Sequence, residues 1–407
     1  MPLPETMESD KAVGTFASIF LIFLRLGLIS FGGPVAHLGY FRDEFVTRRR
    51  WVDDRHYADL VSLCQFLPGP ASSQVGFSLG LLRGNGLIGG LAAWLGFTLP
   101  SAILMLGFGL GAALLAGPTA DAIVHGLKLV AAAIVAQALW GMTRSLVPDL
   151  PRALIALAAL TISLAVGGFL GQIGPIVLGG LFGAYFCTAK AGVAPSSLPV
   201  PVSRQAGLAA VAAAMLLFVA LPPAATLGGG AHIVGQFNAF YQSGALVFGG
   251  GHVVLPLLQA SVVEPGWVSQ ESFLAGYGLA QALPGPLFTF AAYLGASMAP
   301  GFAGIVLGLM ALIAIFLPGL LLVYGALPFV GALRANARTD AAMQGTNAAV
   351  VGVLAAAFYD PVLVGSVFSL FDACLALAGF AVLVFARAPS WTVVLLVPAV
   401  MLVRAYL

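Results

Sequence analysis

Two proline–glycine motifs interrupt apolar segments of this chain of 407 residues, and they are the first candidates for chemistry. Pro68-Gly69-Pro70 divides segment 56–82, and Pro284-Gly285-Pro286 divides segment 271–298. Proline removes a backbone donor and glycine admits unusual dihedral angles, so we expect each helix to break there. The helix that restarts exposes its first amides and the positive end of its dipole, which suit an anion. The motifs therefore predict an anion-binding site.

A glycine-rich motif forms a second kind of break, upstream of each first one. Phe31-Gly32-Gly33-Pro34 recurs as Phe248-Gly249-Gly250, followed by Gly251 where the first motif has proline. Backbone that leaves the helix at membrane depth is tolerated only when it is buried in protein or lines a cavity. We expect the four breaks to form a four-sided site near the middle of a bilayer. The plainer alternative is that proline and glycine only kink packed helices.

Two cations lie within apolar segments, where each charge costs roughly 2.5–3.5 kcal/mol on insertion scales. Arg25 could contact the anion or pair structurally with Asp59 or another carboxylate. Lys128 could be a second cation of the site or extend to the surface. Gln242 and Asn347 occupy the corresponding positions of the second half, so the first half would supply the charge. The predicted substrate contacts are Arg25, Phe31, Gly32, Gly33, Pro34, Pro68, Gly69, Pro70, Lys128, Phe248, Gly249, Gly250, Pro284, Gly285, Pro286 and Asn347.

Four further side chains are candidates for proton coupling. Asp59 and Glu271 lie in the first arms of the broken segments, and the alternative for both is an interfacial position. His37 and His252 lie near the breaks, and the alternative for both is a hydrogen-bonded structural role. The sequence has no His/Asp/Glu cluster with metal-ligand spacing, no GxxxxGK[ST] loop and no readable Ser-His-Asp arrangement. We therefore expect no metal, no cofactor and no catalytic residue.

The composition places these motifs in membrane helices. Hydrophobic residues make up 60% of the chain and charged residues 8%, whereas ordinary globular domains carry roughly 25% charge. Apolar runs at 87–115, 207–221 and 305–323 have the length and purity of bilayer-spanning helices. The expected fold is an all-α polytopic membrane protein that contacts the lipid bilayer and no nucleic acid.

An internal repeat organises the chain. Residues 51–70 read WVDDRHYADLVSLCQFLPGP and residues 267–286 read WVSQESFLAGYGLAQALPGP, with eight of twenty positions identical. We predict a first repeat at 1–188, a linker with an extra transmembrane helix at 189–231, and a second repeat at 232–407. One extra span between two equal units inverts the second unit, an arrangement typical of secondary transporters.

Loop charges indicate how the repeats are oriented. Loop 42–55 holds five arginines, whereas its counterpart 257–270 holds no lysine or arginine and carries Glu264. The positive-inside rule places these loops on opposite faces, with loop 42–55 in the cytoplasm. Each broken segment is either one kinked span or a re-entrant hairpin. Hairpins at 14–40 and 57–82 leave nearly every basic loop on the cytoplasmic face, so the charges favour hairpins.

The motifs resemble those of a known family. The segment FLRLGLISFGGPVAHLGYFRDEFVTRRRWVDDRHYADLVSLCQFLPGPASSQVG, with FGGGHVVLPLL and YGLAQALPGPLFTFAAYLG downstream, closely resembles the chromate ion transporter (CHR) superfamily in its long-chain, two-domain form. The resemblance covers essentially the whole chain. It implies a bacterial inner-membrane protein that exports chromate, confers chromate resistance and is driven by the membrane potential or a proton gradient.

The substrate and the transport mode stay open at this level. Chromate and sulfate are both tetrahedral dianions of similar size, and backbone amides with one or two cations do not easily distinguish them. An oxyanion channel or a sulfate transporter of the same architecture is the alternative. A lipid-modifying enzyme would need a polar catalytic cluster, which the sequence lacks. The expected partners are the oxyanion, the bilayer and, as an open alternative, a second copy in a homodimer.

Overall fold

A computed structural model describes residues 14–112, 117–166, 168–187, 200–227, 233–248, 251–330 and 337–406. These residues form helices and connecting turns, and no strand occurs among them, which confirms the all-α prediction. The first half contains α1 (Phe16–Ile29), α2 (Gly33–Arg42), α3 (Asp54–Phe66), α4 (Ala71–Arg83), α5 (Leu87–Ala112), α6 (Pro118–Leu146), α7 (Leu150–Val166) and α8 (Gly168–Phe186). A widened turn at Asp43–Arg48 extends α2.

The second half repeats this order after one additional helix, α9 (Arg204–Leu227). It contains α10 (Ile233–Ala245), α11 (Val254–Leu258), α12 (Gln270–Ala280), α13 (Phe290–Ser297), α14 (Gly301–Ala326), α15 (Ala337–Ala357), α16 (Leu370–Val384) and α17 (Ser390–Ala405). Tight turns at Gly251–Val253 and Leu287–Thr289 lead into α11 and α13, and widened turns at Gln259–Val263 and Phe358–Leu363 extend α11 and α15.

Capping residues recur at corresponding helix starts. Asp53 accepts a hydrogen bond from the His56 amide at the start of α3, and Ser269 caps the corresponding α12. Asp149 accepts from the Arg152 amide at α7, and Ser369 caps the corresponding α16. Short polar side chains at these positions satisfy amides that have no partner within the helix.

The first-half breaks fold each segment back on itself. Phe23 of α1 lies 5.7 Å from Phe41 of α2, so the two arms run antiparallel on either side of the glycine-rich break. In the next pair of helices, α3 and α4, the guanidinium of Arg83 at the end of α4 lies 5.6 Å from the centre of the Trp51 ring, which precedes α3. The Gly14 amide donates to the Arg83 carbonyl, which places the start of α1 at the same end. α1–α2 and α3–α4 are therefore hairpins, the arrangement that the loop charges favour.

The second half forms a matching hairpin from α12 and α13. The Tyr293 hydroxyl of α13 lies 2.9 Å from Ser272 Oγ and donates to the Ser272 carbonyl near the start of α12. A Cβ at Gly276 would lie 2.2 Å from the Tyr293 ring, so glycine is required for the ring to pass. The 284–286 break is thus the tip of this hairpin.

A long helix of each half packs against helices of the other half. α6 packs against α16 and α17 of the second half, and α15 packs against α7 and α8 of the first half. Glycines allow the second contact, since a Cβ at Gly345 would lie 2.1 Å from the Gly179 carbonyl oxygen and 2.5 Å from the Gly183 Cα. The halves are therefore interlocked and bury each other's helices.

Five helices of the described chain are long and apolar enough to cross a membrane: Leu87–Gly111, Pro118–Leu146, Arg204–Thr226, Gly301–Phe329 and Asp340–Leu363. Four of them are substantially buried, whereas only 6% of the apolar window of α9 is buried. The additional helix therefore lies on the outside of the protein.

The hairpins make a prediction about sidedness. In a variant without the three native cysteines, we expect Thr47→Cys and Asn85→Cys to react with an impermeant thiol reagent from the same membrane face, since both ends of α3–α4 return there. Inverted repeats predict that Glu264→Cys and Pro300→Cys react from the other face. If α3–α4 crossed the bilayer, Thr47→Cys and Asn85→Cys would react from opposite faces.

Candidate functional site

The breaks of the two halves are joined by a reciprocal pair of backbone hydrogen bonds. The Gly69 amide donates to the Val247 carbonyl at 2.8 Å, and the Gly285 amide donates to the Ser30 carbonyl at 3.0 Å. In each bond, the proline–glycine break of one half meets the residue preceding the glycine-rich break of the other half. Gly69 and Gly285 have φ angles of 120° and 101°, which glycine adopts readily. The four breaks therefore converge at one place, the junction of the two halves, as the sequence predicts.

The glycine-rich breaks also touch directly. A Cβ at Gly251 would lie 3.3 Å from Pro34 Cγ. The pyrrolidine ring of the first half therefore packs against the position that holds glycine in the second half. A side chain at position 251 would make a tight contact with this ring, and glycine in the second motif avoids it.

One polar side chain ties the first break to the second half. Gln74 Nε2 donates to the Pro68 carbonyl at 2.9 Å and to the Gly319 carbonyl of α14 at 3.0 Å. Gln74 is completely buried. Its amide satisfies two carbonyls that hydrocarbon surroundings would leave unpaired.

A cavity of about 950 Å³ opens beside the first-half breaks. Its inner end is lined by Gly32 and Pro34 of one break and by Gly69 and Ala71 of the other. Polar side chains of both halves add to the wall, and no aspartate or glutamate belongs to its described part. These polar lining residues are Gln65, Gln137, Ser145, His252, Asn347, Arg144 and Arg387.

Two helices direct their N-termini at this inner end. α2 starts behind Gly32, which has a φ of 100° and no side-chain cap, and α4 starts behind Pro70, which also offers no side-chain cap. Their first amides therefore lack the usual carboxylate or hydroxyl acceptor. Uncapped N-termini beside a cavity can bind an anion through amides and helix dipoles.

Several buried polar atoms near the breaks have no hydrogen-bond partner within the described part of the chain. They include Ser30 Oγ, Ser73 Oγ, Gln74 Oε1 and Asn347 Oδ1. Each unpaired group costs free energy in an apolar interior. Of these residues, Asn347 lines the cavity, whereas Ser30, Ser73 and Gln74 are buried behind its wall.

The two predicted histidines occupy different environments. His37 is buried, with Nε2 at 3.1 Å from the Ser30 carbonyl and Nδ1 at 3.3 Å from Ser72 Oγ. His252 lines the cavity, and its Nδ1 lies 2.8 Å from the Tyr277 hydroxyl. His37 therefore braces the first break, whereas His252 can meet a solute in the cavity.

The structure does not bring Arg25 to the cavity. Arg25 lies on the exposed face of α1, between the exposed side chains of Leu21 and Leu28, and forms no ion pair within the described residues. Its counterpart Gln242 is buried because α9 covers α10, and Gln242 Nε2 donates to the Phe218 carbonyl of α9 at 2.7 Å. The first half has no described helix in the place of α9, which leaves Arg25 on the outer surface.

Lys128 likewise lies away from the cavity. Its Nζ is 3.7 Å from Glu271 Oε1 and 5.2 Å from the centre of the Phe368 ring. One turn earlier on α6, His125 Nε2 lies 3.2 Å from Asp372 Oδ1. These contacts join the start of α6 to the starts of α12 and α16 of the second half.

This group of ion pairs marks the end of the protein opposite the cavity. Arg404 of α17 lies at the same end, with its Nη1 at 3.7 Å from Asp372 Oδ1. The corresponding positions of α15 hold Gln344 and Asn347, which are neutral, and Asn347 lines the cavity. The predicted asymmetry, in which the first half supplies the charge of the site, is therefore not seen at the cavity: Lys128 forms its contacts at the other end, whereas its neutral counterpart Asn347 lines the cavity.

The remaining predicted residues are distributed around the junction. Pro284 and Pro286 are buried and do not line the cavity. Phe248 and Phe31 are half-buried, and Asp59 is buried in α3. Gly249 and Gly250 lie outside the described residues. Pro68 and Gly33 belong to the first-half breaks, with Gly33 at a φ of 77°.

Sequence reasoning missed two arginines of the lining, Arg144 and Arg387, because both read as ordinary loop charges. Arg144 belongs to the last turn of α6, and Arg387 follows α16 at a φ of 53°. Their shared position at one cavity depends on α6 and α16 packing together across the halves. No short-range pattern of the sequence reveals that contact.

A polytopic helical protein whose repeated, broken helices meet beside a cavity with polar and charged side chains has the architecture of a secondary membrane transporter. The chain belongs to the chromate transporter family, whose model matches residues 17–187 and again residues 234–403. It is thus a transporter protein and not an enzyme.

Curated relatives cover most of the chain. It is 30% identical over 381 residues to the chromate transport protein of Pseudomonas aeruginosa, a match that covers 87% of this chain and 83% of the relative. It is 30% identical over 344 residues to a probable chromate transport protein of Synechococcus elongatus, covering 82% and 81%. An uncharacterised transporter of Methanocaldococcus jannaschii is 24% identical over 343 residues, covering 82% of each chain. No solved structure matches.

The junction makes a prediction about Gly285. A Cβ there would lie 2.7 Å from Ser101 Oγ, whereas a Cβ at Gly266, which also has positive φ, would meet nothing within 4 Å. Both alanine variants bear the conformational cost of about 1–2 kcal/mol, and Gly285→Ala adds an overlap of about 1–3 kcal/mol. We expect Gly285→Ala to lower the thermal midpoint of detergent-solubilised protein further than Gly266→Ala.

The same experiment has an internal check. Adding Ser101→Ala to Gly285→Ala removes the overlapping hydroxyl and should recover part of the lost midpoint. Equal losses for Gly285→Ala and Gly266→Ala would show that the close approach at the break does not matter for stability.

Proposed function

We propose that this protein is a secondary transporter that exports chromate, and sulfate by the same chemistry, from the bacterial cytoplasm across the inner membrane and so confers chromate resistance. The single observation that carries the proposal is the pair of uncapped N-termini, α2 and α4, at the inner end of a cavity with no acidic residue among its described lining. Amides and dipole ends suit a compact dianion, and an acid-free wall does not repel it. The names of the curated relatives support chromate as the substrate.

In this proposal the oxyanion binds between the two N-termini. The Asn347 amide can donate from the opposite wall of the cavity. Gly32 and Gly69 allow close approach because they present backbone without a side chain. The second-half break at 284–286 supports this arrangement through the Gly285 bond.

The proposed transport cycle alternates access between the two ends. The cavity extends toward the end of α6, the end that carries the basic residues expected in the cytoplasm. The opposite end is held by the Lys128–Glu271 and His125–Asp372 pairs across the halves. We propose that this form faces the cytoplasm, that breaking these pairs opens the other end, and that the repeats 1–188 and 232–407 are inverted about the junction.

His252 is the favoured candidate for proton coupling among the four predicted residues. It borders the cavity, whereas His37 is fixed between Ser30 and Ser72, Glu271 pairs with Lys128, and Asp59 is buried in α3. A histidine that changes charge beside the substrate would link proton and anion movement. The alternative driving force is the membrane potential acting on the dianion itself.

Proteoliposomes test the proposed function. We expect saturable chromate flux that responds to an imposed membrane potential or pH gradient, each applied alone to identify the driving force, with sulfate competing. Protein-free liposomes are the control. Flux that rises linearly with substrate would support a channel, and absence of both chromate and sulfate flux would refute the proposal.

Asn347 provides a sharper test of the site. Asn347→Asp places a carboxylate on the cavity wall, and two unit charges 4 Å apart interact by about 4 kcal/mol at an effective dielectric of 20. We therefore expect KM for chromate to rise at least tenfold. Asn347→Ala removes the amide without adding charge and should raise KM only a few-fold. Equal KM values for the two variants would show that Asn347 does not lie near the bound substrate.

A further inference from the structure

The cavity carries two arginines that the proposed binding site at the helix N-termini does not use. Arg144 comes from the last turn of α6 in the first half, and Arg387 follows α16 in the second half. They are the only charged side chains of its described lining. Neither forms an ion pair with a carboxylate within the described residues, whereas Arg42, Arg49 and Arg152 all do. Two positive charges therefore face the cavity without compensation.

The backbone of Arg387 gives independent support. Its φ of 53° lies in the left-handed region, which among the described non-glycine residues only Arg50 shares. In the first half, the connection between α7 and α8 holds Gly168, with a φ of 57°. Glycine adopts this conformation without steric cost, whereas a side chain bears one. An unfavourable conformation that retains an arginine at a cavity suggests a functional role for its guanidinium.

Arg144 is oriented by an aromatic neighbour. Its guanidinium lies 4.5 Å from the centre of the Trp140 ring, and Trp140 also lines the cavity. Such stacking restricts the planar group and leaves its N–H edges free to donate. The two arginines come from the ends of helices that pack together, α6 and α16.

We propose that Arg144 and Arg387 form a capture site for a tetrahedral oxyanion dianion at the outer part of the cavity, one guanidinium from each half. Guanidinium forks bind oxyanions through paired charge-assisted hydrogen bonds, and two of them match the charge of a dianion. A cavity wall of one sign also concentrates anions before they bind. The proposal rests on the proposed function and deepens it by placing a first binding step ahead of the helix N-termini.

The neutral lining explains how the anion leaves this capture site. Gln65, Gln137 and Asn347 lie among the cavity residues, and their amides can donate hydrogen bonds without adding charge. The path therefore leads from full charges through neutral amides to the N-termini of α2 and α4. Several successive contacts, none of them very strong, let the substrate move on from the arginines instead of remaining bound to them.

Arg387→Gly is the decisive variant, because glycine suits the backbone at this position and should not disturb folding. In proteoliposomes with the cytoplasmic end facing the substrate, we expect KM for chromate to rise at least tenfold while kcat stays within twofold. The wild-type KM should increase with ionic strength, since salt screens long-range attraction. In the double variant Arg144→Gln/Arg387→Gly this salt dependence should flatten.

Arg50→Gly is the matched control. Arg50 has nearly the same backbone angle, a φ of 51°, and is exposed, but it does not line the cavity. Its replacement removes one arginine from the same backbone conformation, so KM and its salt dependence should stay at wild-type values. Arg387→Lys keeps the charge but loses the planar fork, and we expect a smaller rise in KM than for glycine.

The outcomes separate this inference from the proposed function. If the wild type carries chromate and Arg387→Gly matches both it and Arg50→Gly in KM and salt dependence, the capture site is wrong while the transport function stands. If the wild type carries neither chromate nor sulfate, the transport function fails. Equilibrium chromate binding to the detergent-solubilised protein then tests the arginines directly, with at least tenfold weaker binding expected for the double variant and unchanged binding contradicting the site.

Discussion

The structure depends on the need to pair backbone groups where helices break inside an apolar protein. Gly69 donates to the Val247 carbonyl, and Gly285 donates to the Ser30 carbonyl. Hydrocarbon offers no partner for such groups, so each half supplies what the other half lacks. The hairpins meet at this reciprocal contact, and the cavity opens beside it. Neither half would satisfy its own breaks alone, which explains why the two units occur in one interlocked fold.

Close packing at the junction makes two similar halves unequal. Pro34 occupies space that Gly251 leaves free, since a side chain there would approach the proline ring. Farther out, Lys128 forms an ion pair at one end, whereas its counterpart Asn347 borders the cavity. A transporter needs one closed end and one open end at any moment. In the proposed function, neutral and charged residues at corresponding positions provide that difference within a repeated framework.

The sequence predicted the elements well and the site in part. The breaks at 68–70 and 284–286 were readable because proline and glycine act locally on the backbone, and their convergence followed from the repeat. The structure places neither Arg25 nor Lys128 at the cavity. Depth along a helix, which the sequence indicates, does not determine the face on which a side chain lies. Arg25 is on the outer surface, since only the second half has α9 to cover that face. Arg144 and Arg387 line the same cavity only because two helices that are distant in the sequence pack together.

The sequence by itself determined that the chain is helical, apolar, repeated and broken at four positions, because composition, repetition and proline–glycine chemistry are local properties. Tertiary structure alone decided which breaks border the cavity, which charges pair across the halves and which arginines line the cavity. These outcomes depend on the packing of α6 and α15 against helices of the opposite half. Such contacts arise from side-chain volume and close glycine approach between residues far apart in the chain, and a linear pattern does not encode them in readable form.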